Sequence, residues 1–438
     1  MYSIGNGEKE MNMKYIGGIL CVAIIISLTA IFFTLNQSNV SDENEQDLDI
    51  SGNIIFGNET LFHESANGFA FELLRQFKNN PTYSENPFFS PYSIFTALAM
   101  TYEGAVEKTA DEMAAVLHIQ QDNESFHHYV NALYHFLNNT SEYNISTANA
   151  AWIKQNYSIL DQYLNTIEDF YNAHAAYIDF SNPETAADII NRWVENETND
   201  LIHELLTSDD IDPVLTRLIL TNAIYFKSTW KVQFDRENTT NRPFTLLSGE
   251  TIDVSTMSLI ETEDAFNYTE TEEFQMLELP YTGNDLSMII LLPKEDDELS
   301  ILVDSITEES YTQWLESMTE EEVDIYLPKF NITTPQYSLK DMLWNLGIHD
   351  AFTFDADLSG ISGFKDLYIK DVFHKGFIEI NEEGTEAAAA TAVVIYLKSN
   401  GGGHSRIVFN CDHPFLYLIQ HKETGTILFM GTMNNPIQ

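Results

Sequence analysis

Residues 382–398 read EEGTEAAAATAVVIYLK, and no single fixed element of secondary structure suits the whole run. Two acids and a glycine open it, four consecutive alanines follow, and β-branched and aromatic residues close it. A plain exposed helix of alanines is one reading, but such a helix has no need of TAVVIY after it. A strand does. Successive side chains of a strand point to opposite faces, which gathers Thr385, Ala387, Ala389, Thr391, Val393 and Ile395 on one uncharged face and leaves Glu386 on the other. This is the pattern of a segment that can move at its base and lie down as a buried strand in a sheet.

The flanks of that run carry a wider likeness. Upstream stands LYIKDVFHKGFIEIN, downstream FNCDHPFLYLIQHKETGTILFMG. Earlier come NPFFSPYSIFTALAMTYEGAVEKTADEM (Asn86–Met113), TNAIYFKSTWKVQF (Thr221–Phe234), ELPY (Glu278–Tyr281), LPKFNI (Leu327–Ile332) and DLSGIS (Asp357–Ser362). In this order and spacing, from about Phe56 onward, the chain resembles the serpins, the serine-protease-inhibitor superfamily. The resemblance implies an α+β fold, the serpin fold, with three β-sheets, eight or nine helices and an exposed reactive-centre loop.

It also implies roles for particular residues. Glu382, Gly384, Thr385 and Ala387, Ala388, Ala389 and Ala390 match the hinge of the loop. Ser90, Ser93, Asn222 and His374 match the shutter, a polar cluster beneath the place where strands part. Trp230 matches the breach, where insertion begins, and Lys329 matches an ion-pair partner of Glu382. About seventeen residues along, counted inclusively from Glu382, the scissile bond falls at Lys398–Ser399. A lysine there suits the acidic primary pocket of a trypsin-like serine protease, which is the expected partner in a covalent complex. The stretch SNGGGHSRIVF (Ser399–Phe409) looks longer than is usual in the family, so Leu397 is the second choice, for chymotrypsin- or subtilisin-like enzymes. The expected function is serine-protease inhibition by cleavage and loop insertion. A non-inhibitory carrier, chaperone or storage serpin and a cell-surface binding protein are the alternatives.

Charge excludes other classes. The chain has 67 acidic and 21 basic residues, a formal net charge of −46, and nucleic acid needs a basic stripe. The helical stretch Ser125–Asn139 offers His127, His128 and His135 but no Lys or Arg, so no glycosaminoglycan partner is expected. The excess acid suits a solvated surface in a salty setting, and the protein is expected to act as a monomer.

The N-terminal region divides by composition. Ile16–Leu35 is uncharged for twenty residues, enough as a helix to cross a bilayer core of about 30 Å. Lys9 and Lys14 precede it and no Lys or Arg follows before Arg75. That asymmetry puts residues 1–15 in the cytoplasm and the globular part outside. Residues 16–35 are then a membrane anchor, with a cleaved signal peptide as the alternative. Residues 36–55 form an acidic flexible stalk, and 56–438 the serpin domain, in an extracytoplasmic, membrane-anchored or secreted protein. No repeat or Gly/Pro-rich linker divides that domain. Its single cysteine, Cys411, is expected to be a buried small hydrophobe.

Helical spacing marks Leu61–Asn80, Ser93–Gly104 and Ala186–Leu206. Leu215–Phe226 is apolar enough for the centre of a covered sheet, and LSMIILLP, VDIYLPKFNI, HKGFIEIN, HPFLYLIQ and ILFMG read as strands. No metal or cofactor is implied. GISG lacks the Gly-x-Ser-x-Gly spacing of a nucleophile elbow, and neither His63–Glu64 nor His203–Glu204 continues into a zinc motif. The chain is not expected to be an enzyme; it offers a bond to one.

Overall fold

The computed structural model describes residues 59–437 apart from 120–122, 139, 141, 297 and 386–405. The core is built on a seven-stranded sheet in which Phe274–Pro280, Leu286–Pro293, Phe415–His421 and Ile427–Met433 are neighbours in that order. The last three are buried at each residue, the mark of strands covered on both faces. Helices Glu59–Asn79 and Pro91–Tyr102 pack on Ile427–Met433. Pro91–Tyr102 also packs on Leu218–Thr229, the long strand of a six-stranded sheet. Phe226 of that strand meets Phe429 at 5.9 Å, closing the core between the sheets.

The six-stranded sheet runs Phe330–Thr333, Phe377–Ile380, Gly384–Thr385, Leu218–Thr229, Asn144–Lys154, His174–Ile178. A four-stranded sheet (Ile407–Asn410, Val323–Pro328, Thr251–Leu259, Thr240–Thr245) and a two-residue ribbon of Tyr337–Ser338 with Phe373–His374 complete the ladders among the described residues. The fold is α+β, with three principal sheets. Ten α-helices are described rather than eight or nine, because short turns such as Leu299–Ser305, Lys340–Leu346 and Ser359–Ser362 add to the long ones.

Local chemistry sets the helix starts. Ser90 caps Pro91–Tyr102, its hydroxyl accepting from the Ser93 amide, with proline at the first helical position. The helix expected over Ala186–Leu206 instead spans Pro183–Glu197. Thr198 turns its hydroxyl back to the Val194 carbonyl, 2.7 Å away, and Asn199 and Asp200 adopt φ of 51° and 60°. Ile202, Leu205 and Leu206 keep the apolar rhythm because they still pack in the cluster around Ile190 and Val194. The run VDIYLPKFNI is likewise two strands of different sheets, Val323–Pro328 and Phe330–Thr333. Pro328 has no amide to extend the ladder, and Lys329 spans the crossing. Among the described residues no helix is long and apolar enough to cross a membrane; residues 16–35 lie outside them.

Two sequence marks some 250 residues apart interlock at Gly104 and Gly360. The Gly360 amide donates to the Gly104 carbonyl at 3.0 Å, and the Val106 amide to Asp357 O at 2.9 Å. A β-carbon on Gly104 would stand 2.1 Å from Ile361 Cγ1 and 3.1 Å from its backbone nitrogen. Gly104→Ala must therefore push the two segments apart. Its unfolding free energy, measured by urea titration, is expected to fall by about 1–3 kcal/mol, the usual cost of overpacking.

Candidate functional site

At one end of the six-stranded sheet the chain reverses through Asn381–Thr385. Asn381 Oδ1 accepts from the Glu383 amide at 3.0 Å and the Gly384 amide at 3.3 Å. Two residues then enter the sheet: Gly384 stands opposite Thr229, and Thr385 lies between Ser228 and Ile380. A side chain at 384 would bring Cβ to 2.1 Å from Ser228 O, so only glycine fits. Thr385 is buried, its hydroxyl 2.6 Å from the Tyr281 hydroxyl.

Trp230 holds the turn from below. Its amide donates to Glu383 O at 2.8 Å, its indole to Asn381 O at 2.9 Å, and its ring stacks on Tyr281 at 4.7 Å. Lys329 Nζ lies 2.8 Å from Glu382 Oε2, and the Thr239 hydroxyl donates to Oε1 at 2.8 Å. Burial alone would raise the Glu382 carboxyl; bonds from Lys329 and Thr239 outweigh it and hold the group below the usual carboxylate range. Glu383 pairs with Arg236. Glu382, Gly384, Thr385, Trp230 and Lys329 thus come together. Sequence reasoning missed Asn381, Thr239, Arg236 and Tyr281. Tyr281 ends the ELPY mark, but nothing local says that its hydroxyl meets Thr385.

A second polar cluster stands where Phe373–His374 approaches Leu218–Thr229. The Ser90 amide donates to His374 Nε2 at 3.1 Å, and the Ser90 hydroxyl to Leu428 O at 2.6 Å. Ser93 Oγ is buried with no partner among the described residues. Asn222 lies on Leu218–Thr229 opposite Asn149; its side chain is outside those described. Here Phe373–His374 comes within 8 Å of Leu218–Thr229. That is less than the two strand spacings, about 9.6 Å, that an intervening strand needs.

Beyond this pinch lies a cleft of about 790 Å³ between Arg217–Leu220 and the 366–373 segment, with Leu98 and Ile361 in its lining. Leu218, Ile219 and Leu220 are half-buried there, while Ala223–Phe226 of the same strand are buried. Among the described residues, only Gly384–Thr385 pairs with Leu218–Thr229 on this side. Ala387, Ala388, Ala389, Ala390, Lys398 and Ser399 lie outside the described residues. Cys411 is buried, which pushes its thiol pKa well up.

Comparison with known proteins gives a consistent match. The family model described as "Serpin (serine protease inhibitor)" covers residues 64–436. An uncharacterised serpin-like protein of Thermococcus kodakarensis is 40% identical over 87% of this chain and 87% of its own. Human serpin B3 is 37% identical over 85% of this chain and 99% of its own. The crystal structure of Serpin48, a highly specific serpin of the insect Tenebrio molitor, superposes with a TM-score of 0.76 at 33% identity, over 86% of this chain and 99% of that one.

Burial pushes His374 down from 6.5 to about 3, so it is neutral in the folded protein over the working pH range. A base depressed on folding binds its proton in the unfolded chain first, so stability is lost as pH falls below about 6.5. The loss is about 1.4 kcal/mol per pH unit, ending near pH 3. Unfolding free energies measured between pH 7 and 4 are expected to fall less steeply, by about one proton, in His374→Gln than in the parent.

Proposed function

This chain belongs to the serpin family, and we propose that it is an inhibitory member, trapping a trypsin-like serine protease through cleavage at Lys398–Ser399. The observation that carries the reading is that Gly384 and Thr385 are seated between two strands, with a pinch at His374 and a cleft beside Leu218–Leu220 along the same long strand.

The protease serine attacks the Lys398 carbonyl; the bond to Ser399 breaks and its nitrogen leaves with a proton, giving an acyl-enzyme ester. The strand following Thr385 is then free at its far end. Carried on from Thr385 opposite Ser228, the antiparallel register brings Ile395 opposite Leu218, against the cleft. Alternation puts Ala387, Ala389, Thr391, Val393 and Ile395 on the face of Thr385. This brings Val393 and Ile395 to the cleft, each stabilising by about 1.5–3 kcal/mol when fully buried. The tethered protease is dragged along, its oxyanion hole is distorted, and deacylation stalls. Ser90, Ser93, Asn222 and His374 let the strands part at the pinch by exchanging partners, and Trp230, Lys329 and Glu382 hold the entry.

No glycosaminoglycan, nucleic acid or cofactor is required in this reading, and one copy suffices. Residues 16–35 would anchor the domain outside the cytoplasm. A non-inhibitory member would present the same fold, so the test must read trapping itself.

Thr385→Arg buries a guanidinium beside Tyr281 at a cost of several kcal/mol while leaving Lys398 untouched. Moles of protein consumed per mole of trypsin inhibited should rise at least tenfold for this variant and stay near the parental value for Glu386→Arg. The peptide released from the parent should begin at Ser399. Clean cleavage of the parent with no denaturant-resistant complex would show a substrate, not an inhibitor.

A further inference from the structure

The reversal at Asn381–Gly384 joins two neighbouring strands through a tip of two residues. Ile380 stands opposite Thr385. The Asn381 amide donates to Gly384 O at 3.0 Å, and the Gly384 amide points back to Asn381 O at 3.3 Å. Glu382 and Glu383 are therefore the whole of the tip. Two-residue tips favour the mirror-image turns with positive φ, because those match the right-handed twist of the flanking strands. Neither Glu382 nor Glu383 has positive φ. The backbone alone gives this hairpin no favoured turn, and something else must hold it.

Asn381 supplies the hold from inside. The residue is buried, and its Oδ1 accepts from the Glu383 amide at 3.0 Å and the Gly384 amide at 3.3 Å. Nδ2 donates to Glu379 Oε1 at 3.0 Å. A side-chain amide has one accepting and one donating end, and a carboxylate only accepts. Glu379 thus fixes which end of Asn381 faces the turn. Asn381 O also accepts from the Trp230 indole at 2.9 Å, which ties the same residue to the one that follows Leu218–Thr229.

The charged partners of the tip cannot replace Asn381. Lys329 pairs with Glu382 and Arg236 with Glu383. Ammonium and guanidinium groups only donate, so neither can satisfy the amides of residues 383 and 384. Both of those residues are buried. Among the described residues the Glu383 amide has Asn381 Oδ1 as its acceptor. Leaving a buried amide unpaired costs more than an average hydrogen bond contributes.

We propose that Asn381 is the positioning residue of strand entry: its side chain shapes the reversal so that Gly384 and Thr385 start the ladder in register, opposite Thr229 and Ser228. In a hairpin the turn sets the register of all that follows. A shift of one residue would bring Glu386 to the face of Thr385 and turn Ala387 away from it. Nothing in this role requires the turn to move; it is a fixed start from which a strand can extend. Its effect on trapping rests on the inhibitory reading above, and its hold on the hinge does not.

Hydrogen exchange of the intact protein tests the hold. Protection of the amides of residues 383–385 should fall about tenfold in Asn381→Leu, which removes the acceptor and leaves the Glu383 amide unpaired. Asn381→Asp keeps an acceptor for both amides but sets a carboxylate against Glu379. Adding Glu379→Gln restores a donor between the two side chains with the polarity reversed. The double variant Asn381→Asp/Glu379→Gln should therefore recover protection to within about twofold of the parent, and Asn381→Asp alone should not. A residue that merely filled space would show no such rescue. Unchanged protection in Asn381→Leu, or no recovery in the double variant, overturns the proposal. Moles of protein consumed per mole of trypsin inhibited should follow the same order, several-fold above the parent in Asn381→Leu and near it in the double variant. Parental consumption in Asn381→Leu beside impaired protection overturns the link to strand entry. If the parent itself does not trap trypsin, the inhibitory reading and that link fall together, and exchange alone decides the hold of Asn381 on the hinge.

Discussion

A strand in the middle of a sheet needs hydrogen-bond partners on both sides, and at Gly384–Thr385 the described residues supply them, Ser228 and Thr229 on one side and Ile380 on the other. Much of the surrounding structure answers to that condition. The neighbouring strands stand two spacings apart at the entry and closer than that at His374. Trp230, Tyr281 and Asn381 give the entering residues a fixed seat. Without that seat a two-residue ladder would not outweigh the entropy of ordering it.

The polar groups along the gap follow from the same condition. A core that only had to be stable would put aliphatic side chains where Ser90, Ser93 and His374 are buried. Hydroxyls and a neutral imidazole carry a cost, since each must find a partner. In the proposed mechanism they exchange partners as the strands separate, which a close-packed apolar seam would not allow. The Ser90 hydroxyl serves helix and sheet together, receiving the Ser93 amide and donating to Leu428 O.

The scarcity of cations makes their placement informative. With 21 basic residues against 67 acidic ones, several bridge distant parts of the chain. Lys108 joins Glu112 to Asp350, Arg406 holds Glu322 and Asp324, and Lys329 reaches Glu382. Exposed pairs contribute little singly. The Glu382 carboxylate is different, because it is buried and its partner lies where the chain passes from one sheet to another. There the pair fixes the base of the loop relative to both sheets.

The period-two face from Thr385 to Ile395, the proline after a capping serine at Ser90 and the unbroken run at Leu286–Pro293 are local patterns. Each carries its own physical reason, so the sequence by itself determined the fold class and the central strands. Other features depend on segments far apart in the chain, and no local pattern encodes them. The helix after Ala186 stopped at Glu197 because Thr198–Asp200 turn away while later apolar residues still find the same core. The strand run around Lys329 divided because its halves pair with different sheets. The meeting of Tyr281 with Thr385 was decided by tertiary structure alone, since hydrogen bonds form between atoms that folding brings within 3 Å, whatever their distance along the chain.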